Sequence, residues 1–196
     1  METELASRSV TDVLKAVAGE APTPAAGSSA ALVVGFAASL VSKCARKAVG
    51  RIEEAHEILE RAEVLRGRAE QLAEADAGSY HGVVAANRGE GSLADALSAA
   101  SDTPLAIAEV GAELADAAAE LAGRGKPWLR GDAHTAALLA EAGTRAAVML
   151  VHLNLRDAGI GPRHGDPRGE RGRWLAAAAG EARARSGAAV ESRSVR

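Results

Sequence analysis

Residues 21–42 read APTPAAGSSAALVVGFAASLVS, a stretch without one charged side chain. Its second half decides the fold. From Ala30 to Cys44, small and aliphatic residues lie on every side of a helical wheel, with Gly35, Ser39, Ser42 and Lys43 as the exceptions. A helix apolar all round is either the centre of a bundle or a membrane span. Here the stretch opens on Pro22-Thr23-Pro24 and a small polar loop. The convincing helix that remains is shorter than the roughly 20 residues a span needs. The reading is a buried bundle helix with no membrane partner.

Outward from it, helical spacing recurs along the chain. A first helix is expected from Ser9 or Thr11 to Gly19. A long one starts at Glu53, with apolar residues three or four apart: Ala55, Leu59, Ala62, Leu65, Ala69, Leu72. The register passes Asp76, Tyr80 and Val83 and reaches Asn87. At about 1.5 Å per residue this helix is roughly 50 Å long, with bends allowed at Gly67 and Gly78. A short helix follows at about Leu93–Ala100. Another has Pro104 in its first turn and Thr103 or Asp102 as cap, and ends at Gly123-Arg124-Gly125. Asp132 is placed to cap a helix that runs to Asp157. The loop Gly159–Gly169 leads to a last helix over about Glu170–Arg185. No alternating strand pattern occurs. The expectation is an all-α, up-and-down bundle of long helices. One domain covers residues 1–186, and residues 187–196 form a flexible basic tail.

Composition agrees. Aromatics are 2% of the 196 residues, so Ala, Leu and Val must build the core. The single cysteine, Cys44, excludes an internal disulfide and fits a reducing, cytoplasmic compartment. The first residues carry charges without an apolar run, so no secretory signal is expected. The net charge of −3 divides into +4 after Ile160 and −7 before it. An acidic body without stacking aromatics argues against nucleic acid as a partner.

Three places carry potential chemistry. Asp76 lies inside an apolar stripe, where a carboxylate is paired, shifted in pKa or facing a cleft; the alternative is a wet stripe edge. The loop before the buried helix, with Gly27 and Ser28, allows a ligand to approach free N–H groups at a helix start; otherwise Ser28 is an ordinary N-cap. Asp132 either caps its helix or joins Lys126 and Arg130 in holding a substrate carboxylate. Lys43 and Arg46 suit the C-terminal dipole of their helix. A single Glu-x-x-His, Glu53 to His56, falls short of a di-iron set, so no metal and no cofactor are expected.

In order along the chain, these residues resemble the cyclodeaminase/cyclohydrolase family. The family's Pro-Gly-Gly-Gly-Ser loop reads Pro24-Ala25-Ala26-Gly27-Ser28 here. Its Asp-Ala-Asp-x-x-aromatic segment reads Glu74-Ala75-Asp76-Ala77-Gly78-Ser79-Tyr80. Pro-Leu-x-Ile-Ala-Glu is Pro104-Leu105-Ala106-Ile107-Ala108-Glu109. Gly-Asn, Ser-Asp and Ala appear as Gly125-Lys126, Gly131-Asp132 and Ala136-Ala137, and Asn-Leu as Asn154-Leu155. The departures are Ala25, Ala26, Lys126, Gly131 and Leu150, which remove two loop glycines and several hydrogen-bonding groups.

The resemblance implies an all-α homodimer acting on one-carbon tetrahydrofolates without metal. Asp76 and Asp132 would be catalytic, and Gly27, Ser28, Tyr80, Lys126, Arg130 and Asn154 would bind substrate. The expected reaction is hydrolysis of the N5,N10-methenyl bridge, because no formiminotransferase domain accompanies this sequence. The alternatives are a formiminotetrahydrofolate cyclodeaminase and a non-catalytic helical dimer that binds folate or another anion. An Ala-rich helical face needs cover, and the helices from Ser28 and from Glu53 are expected at the dimer interface.

Overall fold

The computed structural model describes residues 5–161 and 165–192. Seven α-helices carry these residues: α1 (Val10–Val17), α2 (Ala26–Ala48), α3 (Ala55–Asn87), α4 (Leu93–Ala99), α5 (Asp102–Arg124), α6 (Arg130–Asp157) and α7 (Pro167–Glu191). No strand occurs among the described residues. α3 runs unbroken through Gly67 and Gly78 for 33 residues.

The expected up-and-down bundle is present. Ser28 meets Asp76 and Arg46 meets Glu63, so α2 and α3 are antiparallel. Lys43 meets Asp132 at one end of α2, while Ala30 and Val34 face Gly143 nearer the other, so α6 also runs against α2. Asn154 reaches Ala100, which sets α5 antiparallel to α6. Arg171 meets Glu109 and Arg185 meets Asp116, which sets α7 parallel to α5. Around the bundle the order is α3, α2, α6, α7, with α5 packed against all four.

Alanine sets the spacing. Ala31, Ala38, Ala108, Ala115, Ala137 and Ala147 are wholly buried, and the larger Val34, Ile107 and Leu114 lie between them. Burying Ile107 or Leu114 contributes about 1.5–3 kcal/mol each. Helices this close leave no room for some side chains. A Cβ at Gly143 would lie 2.5 Å from Val34 Cγ2.

The surface divides in two. The α3, α5 and α7 side is laced with ion pairs, among them Arg61–Glu113, Arg124–Glu54 and Arg171–Glu109. α2 and α6 expose Phe36, Leu138 and Met149 beside the charged Lys43, Arg46 and Arg145. By length and composition alone, α2 and the segment Pro127–Asp157 are each apolar enough to cross a membrane. About half of each is buried inside this one chain, 56% and 44% of the apolar window. All four aromatics are on the surface: Phe36, Tyr80, Trp128 and Trp174 are 55%, 43%, 74% and 58% exposed. Arg171 stacks on Trp174 and Lys126 on Trp128.

Several helix starts differ from the expectation. α2 begins at Ala26, so Ser28 lies inside its first turn and is not the cap. α6 begins at Arg130, so Asp132 is likewise internal. Ser101, and neither Asp102 nor Thr103, occupies the α5 cap position, and its hydroxyl donates to Leu97 O. In each case the start lies one to three residues before the expected cap, within the first turn. α7 starts earlier, at the Asp166 cap, and continues to Glu191, past the boundary at 186 where the tail is expected. Ser186 is fully buried there. Residues 193–196 of that tail and 162–164 of the expected loop lie outside the described residues.

Candidate functional site

The first turn of α2 and the middle of α3 build one small constellation. Ser28 Oγ lies 3.0 Å from both Asp76 Oδ2 and Ala73 O. The Ser28 backbone N–H, one of the open donors of a helix start, also donates to the Asp76 carboxylate. Gly27 makes this approach possible. A Cβ there would lie 2.6 Å from Asp76 Oδ2 and nearer still to Oδ1. Real carbon–oxygen contacts do not come that close, so any residue but glycine displaces the carboxylate.

The glycine of the loop therefore makes room for the protein's own Asp76. This also accounts for the two missing glycines. Ala25 and Ala26 are exposed, and the close approach to the carboxylate is made at Gly27.

Asp76 is half-buried, and burial pushes its carboxyl above the ordinary carboxylate range. Its bonds to the Ser28 hydroxyl and N–H pull the other way without cancelling the effect. Such a carboxyl can take up and release a proton nearer neutral pH than a surface aspartate. Ser79 Oγ donates to the Asp76 carbonyl at 2.9 Å. Tyr80 lies one turn further along the same stripe, beyond the start of α2, and is half-exposed.

The remaining residues named from the sequence are elsewhere. Asp132 pairs with Lys43 Nζ at 2.7 Å. Ser28 and Lys43 are on one helix, so the two aspartates sit at opposite ends of α2, about 22 Å apart along its axis at 1.5 Å per residue. Lys126 and Arg130 are at the Asp132 end, with Lys126 stacked on Trp128. Arg130 Nε is buried without a hydrogen-bond partner. Within one chain, therefore, Gly27, Ser28 and Asp76 come together, Tyr80 follows one turn along α3, and Asp132, Lys126 and Arg130 do not join them. Asn154 is at the Asp76 end, but its Nδ2 donates to Ala100 O at 2.9 Å and ties α6 to the end of α4.

Sequence reading missed two features. Lys43 is read as a dipole partner, yet it is the counter-ion of Asp132, which raises its pKa. Arg168 ties the Asp76 end of the bundle together by bonding Asp166, Asp102 and Ser98. The only local hint is the Asp166-Pro167-Arg168 helix start. Cys44, buried beside the Asp132 pair, has its thiol pushed up to about 11, chiefly by burial, and is unreactive for that reason. No cluster of three metal-type side chains occurs among the described residues.

Three comparisons bear on this geometry. A family model described as formiminotransferase-cyclodeaminase matches residues 9–159. A methenyltetrahydrofolate cyclohydrolase from Methylorubrum extorquens is 31% identical over 160 residues, 73% of this chain and 77% of that protein. The crystal structure of a formiminotetrahydrofolate cyclodeaminase from Thermotoga maritima superposes with a TM-score of 0.87 at 26% identity, covering 96% of this chain and 98% of that one.

Proposed function

We propose a function from one premise: the chain belongs to the formiminotransferase-cyclodeaminase family. It acts on a tetrahydrofolate that carries a one-carbon group, making or opening the N5–N10 bridge. Asp76 is the group that moves the proton. The carrying observation is a half-buried carboxyl of raised pKa, locked by Gly27 and Ser28 at a helix start.

Both candidate reactions pass through a tetrahedral carbon between N5 and N10. In cyclodeamination, N10 adds to the formimino carbon and gives up its proton. The carbon–nitrogen bond to the former imino nitrogen then breaks, and ammonia leaves carrying that proton. The Asp76 carboxylate accepts the proton from N10 and passes it to the departing amine. In the hydrolytic direction, water adds to the methenyl carbon, and the same carboxylate takes one of its protons and delivers it to the nitrogen as the carbon–nitrogen bond breaks; the second water proton leaves to solvent as the formyl C=O forms. The positive amidinium common to both lies against the carboxylate.

Cyclodeamination is the leading reading, although the sequence alone favoured hydrolysis. Two observations support it: the family model and the solved Thermotoga structure both bear the cyclodeaminase name. A carboxyl whose pKa is raised by burial is also a better proton donor to a poor amine leaving group than a surface carboxylate. Hydrolysis is the second reading, favoured by the Methylorubrum relative. We place the active protein in the cytoplasm as a homodimer, with Gly27, Ser28 and Tyr80 lining the substrate site.

One assay separates the readings. Purified protein is given 5-formiminotetrahydrofolate or 5,10-methenyltetrahydrofolate while the methenyl absorbance is followed. A rise with release of ammonia supports cyclodeamination. An accelerated fall from the methenyl compound supports hydrolysis. Tight binding without either change supports a non-catalytic binder.

A further inference from the structure

α7 packs on a different side of α6 from α2. The two helices are antiparallel: His152 Nε2 meets Gly169 O at 3.1 Å, and His134 Nδ1 meets Ser186 Oγ at 2.8 Å. These pairs fix the register along the seam. Gly169 and Gly172 bring α7 backbone to it, without side-chain bulk, and a Cβ added at Gly172 would lie 3.2 Å from Val148 Cγ1. Beside the seam a groove of about 760 Å³ opens between the helices, inside the roughly 300–1,000 Å³ range of small-molecule sites. Its apolar wall includes Met149, Leu153 and Ile160. Gly27, Ser28, Asp76 and Tyr80 take no part in it.

Five charged side chains line the groove: Arg145, Arg156, Arg173, Asp166 and Glu170. They are unequally matched. Arg168 bonds Asp166 and holds its carboxyl below the ordinary carboxylate range. Arg156 is bonded to Asp157 at 2.8 Å. Arg145 lies 3.4 Å from Glu141, whose carboxylate Arg183 holds more closely, at 3.1 Å. Arg173 and Glu170 have no bonding partner among the described residues, although they are three residues apart on α7.

The seam register sets Arg145 and Arg173 at nearly one level, about 4 Å apart along the helix axes at 1.5 Å per residue. Two guanidinium groups, one from each helix, thus flank the same space. An anion between them would satisfy both. Further along α6, Gly169 O can only accept, so His152 Nε2 carries the ring proton and Nδ1 is left as an acceptor. His152 is seven residues from Arg145, about 10 Å along the helix.

We propose that the α6–α7 groove is a binding site, separate from the Asp76 pocket, for a small organic anion. Arg145 and Arg173 take a phosphate or carboxylate at one end. Met149, Leu153 and Ile160 take an apolar ring, and His152 Nδ1 accepts from an amine about 10 Å from the anion. Glu170, one turn before Arg173, repels a second negative group, so the ligand carries its charge at one end. The site rests on this groove alone and is independent of the folate reading.

Calorimetric titration with two probes of this shape tests it: adenosine 5′-monophosphate and 4-aminohippurate. At least one should bind once per chain, and which one binds separates a phosphate ligand from a carboxylate ligand. Arg173 is exposed and unpaired, so Arg173→Glu should keep its helix content by circular dichroism and weaken binding about tenfold or more. Arg145→Glu should do the same; if it fails to fold, Arg173→Glu decides. Arg88→Glu makes the same change of net charge at the end of α3 and should bind like the wild type. Asp76→Asn should also bind like the wild type. Failure of both probes to bind at millimolar concentration overturns the site, as does binding that Arg173→Glu leaves unchanged. Loss of binding in Asp76→Asn would put the probe in the Asp76 pocket and overturn it equally.

Discussion

At its N-terminal end α2 meets Asp76 across Gly27, and near its C-terminal end it meets Asp132 through Lys43. Both aspartates fall in segments that resemble family motifs. Asp76 is half-buried, bonded only by neutral groups, and raised in pKa by burial. Asp132 sits in a pair whose side chains are 55% and 36% exposed. The first arrangement holds a carboxyl against its solvation preference, so it remains ready to exchange a proton. The second satisfies a charge at the surface. A motif letter does not distinguish them; the neighbour facing each carboxylate does.

Gly27→Ala should erase the difference most completely. Its methyl group drives Asp76 out of its place, which should abolish measurable turnover and cost about 1–3 kcal/mol of stability. In Gly27→Ala/Asp76→Ala the stability should return and the activity should not. Denaturant titration and the methenyl assay check both halves. Recovered activity in the double variant would break the assignment.

Asp76→Asn keeps the shape and removes the charge. Turnover should fall about 10²-fold or more. Stability should move the other way. The folded state holds its proton to higher pH than the unfolded chain does, so the stability associated with Asp76 is present below the unfolded pKa. It is lost as pH rises through the folded value. The Asn variant should therefore be the more stable protein at pH 7, and the gap should close as pH falls below the ordinary carboxylate range. Melts at several pH values check this, and a gap that widens on acidification would reverse the sign.

Ser28→Ala removes a bond that holds the Asp76 pKa down. The acid limb of the pH–rate profile should shift upward, and stability should fall by about 1 kcal/mol. At the other end, Asp132→Asn should barely move the thermal midpoint, because exposed ion pairs contribute little. Its effect should appear as a higher KM with kcat retained. Equal loss of kcat would make the two ends of α2 alike and sink the contrast. The smallest effect belongs to the end of the chain. There the measure is the melting temperature of a shortened chain. Deleting from residue 187 removes a turn that packs on His134 and should lower it.

The bundle was legible because three-and-four spacing records which side of a helix is buried. Asp76 stood out for the same reason, as the acid in an apolar stripe. Its partner did not, because Ser28 is 48 residues away and reads as a cap. Capping is a local preference, and α2 and α6 start before the residues that suit it, without a side-chain cap bond. Distance along one helix hid the separation of Asp76 from Asp132: the chain turns back between them, and only the Ser28 and Lys43 contacts place them at opposite ends. The length of α7 escaped too, since its last turns after Arg185 show no clear apolar stripe.

The outward placement of every aromatic ring has a practical consequence for spectroscopy. Trp128 and Trp174 already face water in the folded chain, each beside a cation. Their emission reports the surface, and unfolding changes their surroundings little. A melt followed by intrinsic fluorescence would record a weak transition in a cooperatively unfolding bundle, and the far-ultraviolet helix signal or calorimetry is the measure that follows its core.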